Sequence, residues 1–216
     1  MAVLSPSIFA ADLLNLQKEI NETETAGARW LHVDVMDGVF VPNLSFGYSA
    51  VRDLRSATDM VLDVHLMIDR PIRYVRDFCS AGADYITVHV EADTRGNTSD
   101  ALDTISAFGA KPGIAVKPQT PVDAVFPFLT KCHLVLIMTV EPGFGGQRFM
   151  REMLPRIEKV REFIDNNSLN CLISVDGGID RLTGAECVSS GADVLVAGSA
   201  FYRSSSKEEL VSLFAN

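Results

Sequence analysis

"SGADVLVAGSAF", residues 190–201, compresses a helix end, a strand and a loop into one short stretch. Gly191 stands where a helix stops, because the left-handed C-terminal position favours glycine. "DVLVAG" then runs apolar without alternation, the composition of a parallel strand buried on both faces, and "AGSAF" turns away after it. Working outward, the same punctuation recurs in "AGA" (26–28), "AGAD" (81–84) and "FGAK" (108–111). A repeated βα unit is therefore expected. Strands are read near 3–8, 30–35, 61–67, 84–90, 111–116, 133–139, 171–176 and 193–197, "HLVLIMTV" (133–140) being as clear as the first. Helical patterns fall between them at 12–26, 49–56, 71–81, 98–109, 121–127, 153–166, 180–190 and 207–214. Eight alternations in 216 residues, without linker or low-complexity tract, predict an α/β fold, a TIM (β/α)8 barrel, as a single domain over residues 1–216. A doubly wound open sheet is the competing arrangement.

Composition narrows the function. The chain is 47% hydrophobic and 22% charged, with a formal charge of -9 and both signs interspersed, which argues against nucleic acid or an anionic membrane as partner. A small anion remains compatible, since backbone amides bind phosphate without net positive charge. Cys79, Cys132, Cys171 and Cys187 form no CxxC pair and read as reduced, buried thiols. With no apolar run of membrane-spanning length and no charged leader, a soluble cytoplasmic protein is expected.

In a barrel, functional residues gather at the C-terminal ends of strands. "WLHVDVMDGVFVPN" (30–43) sets His32, Asp34 and Met36 at every second position, so all three leave one face of a strand. "LDVHLMID" contributes His65 and "LISVDGG" Asp176. Two imidazoles and two carboxylates suit one divalent ion, such as zinc, iron(II), manganese or cobalt, and not calcium. Asp34 and Asp176, on strands from different sides of the mouth, also suit proton removal from one face of a substrate and return to the other. Met36, Met67 and Met138 would form an apolar floor without exchangeable protons, or simply fill gaps. "MTVEPGFGGQRF" (138–149) supplies Gly143, Phe144, Gly145 and Gly146 as a phosphate cradle or mobile lid. Gly177, Gly178, Gly198 and Ser199 follow the last two strands, where barrels commonly bind phosphate. Ser7 is read as a substrate contact, with helix capping as its alternative. Arg148 reads as a surface residue, His133 as structural, and His89 as a rim residue without assigned role.

"LSPSIFAADLLNL", "HVDVMDGVFVPNLSFG", "DVHLMID", "YITVHVEA", "LIMTVEPGFGGQRF", "VDGGI" and "ADVLVAGSAF", in this order from residue 4 to residue 201, resemble the signature segments of the ribulose-phosphate 3-epimerase family. The resemblance implies a ribulose-phosphate binding barrel that interconverts D-ribulose 5-phosphate and D-xylulose 5-phosphate in the pentose phosphate pathway, by metal-assisted two-aspartate proton transfer at C3 through an enediolate. By the same resemblance His32, Asp34, His65 and Asp176 are metal ligands, Asp34 and Asp176 the acid/base pair, and Ser7 a substrate contact. Gly143 to Gly146 form the matching loop, and Gly177, Gly178, Gly198 and Ser199 the phosphate contacts. Zinc or iron(II), a cytoplasmic location and a homo-oligomer follow from it too. Val39 and the 93–100 segment depart from the family's usual pattern and bear on substrate preference. A D-allulose-6-phosphate 3-epimerase ranks second and a non-catalytic phosphosugar-binding barrel third.

Overall fold

The computed structural model describes residues 2–215. Eight strands run β1 (Val3–Pro6), β2 (Trp30–Met36), β3 (Val61–Met67), β4 (Tyr85–His89), β5 (Lys111–Val116), β6 (Leu134–Met138), β7 (Leu172–Asp176) and β8 (Val194–Ala197). They form one parallel sheet in the order β1-β8-β7-β6-β5-β4-β3-β2. A parallel bridge from Ser7 to His32 brings its two ends together, so the expected barrel is formed.

The outward-facing residues of each strand, such as Leu31, Val33 and Val35 of β2 or Ile173 and Val175 of β7, join the main apolar core under the helices. That double burial explains the unbroken apolar runs. The inward set is more polar. Its base is plugged by Trp30 packed against Tyr85 at a tilt of 35° (4.7 Å between ring centroids), with Lys111 Nζ 4.8 Å from the Tyr85 ring centroid. Above it lie His32, Asp63 and Thr87, and at β5 Gly113, where a Cβ would stand 2.3 Å from Thr87 Oγ1.

The helices are α1 (Leu16–Thr25), α2 (Tyr48–Ala57), α3 (Val75–Ser80), α4 (Arg95–Ala107), α5 (Leu154–Asn166), α6 (Arg181–Ser189), α7 (Ser199–Tyr202) and α8 (Lys207–Ala215). Four sequence expectations need correction. The expected helix at 12–26 starts with a 3-10 turn, Leu13–Asn15, capped by Asp12. The one at 71–81 splits into a 3-10 turn, Pro71–Arg73, and α3, after the left-handed Arg70. The segment at 121–127 is entirely 3-10 over Val122–Phe128, because Pro127 has no N–H for an α-helical bond. The helix after β4 starts at Arg95 rather than 98, since Thr94 accepts from the Asn97 N–H. The short α7 was not expected. No helix among the described residues is long and apolar enough to cross a membrane.

The glycine punctuation has a structural cause. Gly27, Gly82, Gly109 and Gly191 all have positive φ, from 86° to 107°. At Gly82 and Gly191 space adds a second constraint: a Cβ would lie 2.6 Å from Arg55 Cγ and 2.9 Å from Arg161 Cγ. Those arginines reach the aspartate two residues later, Arg55 to Asp84 (2.9 Å) and Arg161 to Asp193 (2.6 Å). Each aspartate also accepts the N–H of the neighbouring strand, from Leu62 and Ile173 respectively, both at 2.8 Å. "GAD" is thus one clasp used twice, beneath β3/β4 and beneath β7/β8.

Candidate active site

The strands deliver the predicted residues to one mouth. A cavity of about 310 Å³ there is lined by Ser7, Asp34, Met36, Met67, Met138, Gly143, Phe144, Gly145, Gly146, Asp176, Gly177, Gly178, Gly198 and Ser199. Phe9, Val140 and Gln147, which sequence reasoning had not singled out, line it too. His32 and His65 lie beneath this surface, fully buried. They are the third and fifth residues of seven-residue strands, deeper than the strand ends at which they were expected, and Met36 and Met67 occupy those ends.

Register makes the cluster. His32 pairs across to Asp63, and Asp34 to His65. One donor atom each from His32, Asp34, His65 and Asp176 lies within 4.8 Å of the other three. That span and two-nitrogen, two-oxygen set fit one ion with bonds of roughly 2.0–2.2 Å. A specific vacancy in the hydrogen bonding supports the fit: His32 Nε2 is buried without a hydrogen-bond partner, 3.3 Å from Asp34 Oδ1. Its Nδ1 is fixed by Asp63 Oδ2 at 2.8 Å, the carboxylate that commonly orients an imidazole ligand. His65 Nδ1 sits 3.1 Å from Asp34 Oδ1 and 3.9 Å from Asp176 Oδ2.

The two aspartates titrate in opposite directions. Burial opposes charge on Asp34, but the His32 imidazole and then the His65 hydrogen bond outweigh it and hold the carboxyl well below its usual range. Burial also opposes charge on His32, which Asp34 and Asp63 nevertheless keep protonated well above the usual range. Asp176 is less closely paired, with His65 Nδ1 at 3.9 Å, and burial, then the charge of Asp34, outweighs the opposing pull of His32 and pushes it up to about 7. Without a cation, then, one carboxylate is ionised and the other stands near its midpoint at neutral pH. Environments that push two carboxyl groups apart assign a base and an acid.

Ser7 Oγ donates to Asp34 Oδ2 at 2.6 Å and makes no capping bond, so the helix-cap reading does not hold. Ser45, missed in the sequence, donates from Oγ to the Asp34 carbonyl (2.6 Å) and accepts the Met36 N–H (2.9 Å). Thr139, also missed, donates to the carbonyls of Asp176 and Gly177 at 2.9 and 2.6 Å, setting the turn that carries Asp176. Asp37 accepts the N–H groups of Val39, Phe40 and Asp69, tying the loop after β2 to the one after β3.

The glycine segments differ in character. Gly177 and Gly178 have φ of 126° and 65°, and a Cβ on Gly178 would lie 2.6 Å from the Phe149 nitrogen, so the backbone here admits glycine alone. Gly198 immediately precedes α7. The 143–146 loop is latched from both sides: Asn43 Nδ2 donates to the Gly143 carbonyl (2.8 Å), and Gln147 Nε2 to those of Glu141 and Phe144 (2.6 and 2.8 Å). Phe144 stays exposed. Arg148 is on the surface, as expected; His133, read as structural, is exposed too, and Thr94 in the divergent 93–100 segment starts α4. His89 is not a rim residue: it is fully buried against His65.

Comparison with known proteins adds independent information. The sequence model of the ribulose-phosphate 3 epimerase family matches residues 3–202. A protein named ribulose-phosphate 3-epimerase from Synechocystis is 44% identical over 209 residues, covering 97% of this chain and 91% of that one. One of the same name from Bacillus subtilis is 42% identical over 213 residues, covering 98% and 97%. Among solved structures, 3-hexulose-6-phosphate synthase from Salmonella typhimurium superposes with a TM-score of 0.72 at 16% identity, over 99% of this chain and 96% of that one. At that identity the likeness concerns the fold alone.

Proposed function

The chain belongs to the ribulose-phosphate 3-epimerase family and is an isomerase, and from that premise we propose that it interconverts D-ribulose 5-phosphate and D-xylulose 5-phosphate with Asp34 and Asp176 as the proton-transfer pair. The observation that carries this assignment is the convergence of two carboxylates, Asp34 and Asp176, on one cavity beside His32 and His65. Inversion at C3 needs a base on one face and an acid on the other. β2 and β7 are separated by β1 and β8, which sets the two side chains on different sides of the mouth. In one direction ionised Asp34 takes the C3 proton and protonated Asp176 delivers one to the opposite face; in the other their roles exchange. The donation from Ser7 steadies Asp34 between these states.

His32, Asp34, His65 and Asp176 would hold one divalent ion, with zinc or iron(II) the proposed identities and manganese or cobalt workable substitutes. When bound, such an ion supplies Lewis-acid stabilisation of the charge that develops as C3 loses its proton, so an enediolate becomes accessible. Met36, Met67 and Met138 bring no exchangeable proton to that charge and exclude water from beneath it. The amides of Gly177, Gly178, Gly198 and Ser199 are proposed to receive the phosphate, and the Gly143–Gly146 loop with Phe144 to cover the sugar. We further propose that residues 1–216 act as one domain in the cytoplasm, which the unpaired state of all four cysteines supports. A homo-oligomer is supported by the exposed Leu13, Leu14, Val39 and Leu44 on the loops after β1 and β2.

Solvent-deuterium incorporation at C3 tests the assignment, with D-ribulose 5-phosphate and D-allulose 6-phosphate compared before and after chelation. Exchange with formation of the C3 epimer, faster on the pentose and lost on chelation, is expected. Folded, metal-loaded protein that exchanges neither sugar would overturn it.

A further inference from the structure

His65 is held differently from His32. Its Nδ1 faces Asp34 and Asp176, while its Nε2 lies 2.8 Å from Nε2 of His89. His89 Nδ1 in turn lies 3.2 Å from Glu91 Oε2, and Glu91 Oε1 accepts the Lys117 N–H at 2.8 Å. The two rings are tilted by 31° with centroids 5.0 Å apart, and Phe40, from the loop after β2, packs over His89 at 4.9 Å.

We propose that His89 and Glu91 are positioning residues for metal binding: a directional hydrogen-bonded chain from the end of β5 that fixes the ring orientation and tautomer of His65. The inference rests on the reading of His65 as a ligand. A nitrogen that binds a cation must present its lone pair, so a ligating Nδ1 leaves the ring hydrogen of His65 on Nε2. That hydrogen then has one neighbour within hydrogen-bond distance, His89 Nε2, which must be an acceptor. His89 consequently carries its own hydrogen on Nδ1, where Glu91 accepts it. Each bond can run in one sense only, and the chain ends in a carboxylate pinned by a backbone amide. His32 reaches Asp63 directly; His65 reaches Glu91 through an intervening imidazole. Both imidazoles are thereby oriented by carboxylates, the arrangement that raises ligand basicity and holds ring geometry. Sequence spacing is consistent with this, since His89 and Glu91 fall two apart in "VHVEA" just where β4 ends.

The test measures zinc affinity by chelator competition, and the visible spectrum of the cobalt(II)-substituted protein, for wild type, His65→Ala, His89→Leu and His89→Gln. His89→Leu leaves the Nε2–H of His65 without an acceptor, so zinc affinity is expected to fall roughly 10- to 100-fold with a changed cobalt spectrum. His89→Gln offers a carbonyl oxygen in its place and is expected to recover most of the affinity, which a purely structural role would not predict. A second readout needs no variant: nitrogen-15 correlation spectra of the zinc-loaded wild type should show hydrogen on Nε2 of His65 and on Nδ1 of His89. His89→Leu binding zinc as tightly as wild type, or the opposite tautomers, would overturn the proposal. His65→Ala separates the two levels of inference, because unaltered zinc binding in that variant would remove the ligand assignment itself.

Discussion

Asp176→Asn is the substitution for which stability and chemistry are expected to move in opposite directions. Burial and the neighbouring Asp34 charge raise the Asp176 carboxyl to about 7 from an ordinary value of 3.8. Between those two values the native state retains a proton that the unfolded chain has released, so stability falls as pH rises through this window and the loss is complete above the folded value. A rise of about three in pKa, at about 1.36 kcal/mol each, gives roughly 4 kcal/mol. The Asp176 side chain retains 19% exposure, and water screening reduces the expectation to about 2–4 kcal/mol. Asparagine cannot ionise and escapes the loss. Metal-free Asp176→Asn should therefore be more stable than metal-free wild type by that amount near pH 8.5, with the difference closing towards pH 4.5. Urea denaturation of both proteins in chelator, across that range, measures it. Epimerisation by the metal-loaded variant should meanwhile drop by roughly 10²- to 10⁴-fold. A stability difference that is absent, or equal at both ends of the pH range, would refute the account of a buried, charge-repelled carboxyl.

Three further outcomes are expected. Asp63→Asn weakens the hold on His32 Nδ1 and should lower zinc affinity roughly 10- to 100-fold by chelator competition. Ser7→Ala removes a donor worth roughly 1.5–3 kcal/mol to an ionised carboxylate, so steady-state kinetics should show kcat reduced by one to two orders of magnitude with KM little changed. Gly178→Ala forces a side chain into left-handed backbone against the Phe149 nitrogen; it should lower stability by about 1–3 kcal/mol in denaturant titration and raise KM for the sugar phosphate.

The barrel was legible because its punctuation is physical. Glycines at positive φ recur where helices end, and short apolar runs without alternation, bounded by turn residues, fit strands covered on both faces. The α-helix expected around Pro127 failed because apolar spacing does not separate α from 3-10 turns, and α7 escaped because four residues carry no periodicity. At the site, alternation within β2 placed His32 and Asp34 together, and the glycine motifs located the mouth. Asp63 was missed although it shares a face with His65 two residues later. Its importance comes from lying opposite His32 on the neighbouring strand, and one strand's sequence does not contain its register with another. His89 was visible but its depth was not, since burial at a strand end depends on the loops folded over it, here the one bearing Phe40.

The doubled Arg–Asp clasp bears on the order in which the chain assembles. Its bonds link residues 20 to 32 apart, Asp84 to Leu62 and Arg55, Asp193 to Ile173 and Arg161, whereas the seam joins Ser7 to Ala197 and Val3 to Asp193 across nearly the whole chain. Loops of that modest size close at much lower entropic cost than the seam. Pulse-labelled hydrogen exchange during refolding should show the Leu62 and Ile173 amides protected before that of Ser7, and simultaneous protection would contradict it. Asp34 and His65 lie to one side of the β1/β8 seam and Asp176 to the other, so a nascent chain would gather its metal-binding chemistry only when that seam closes.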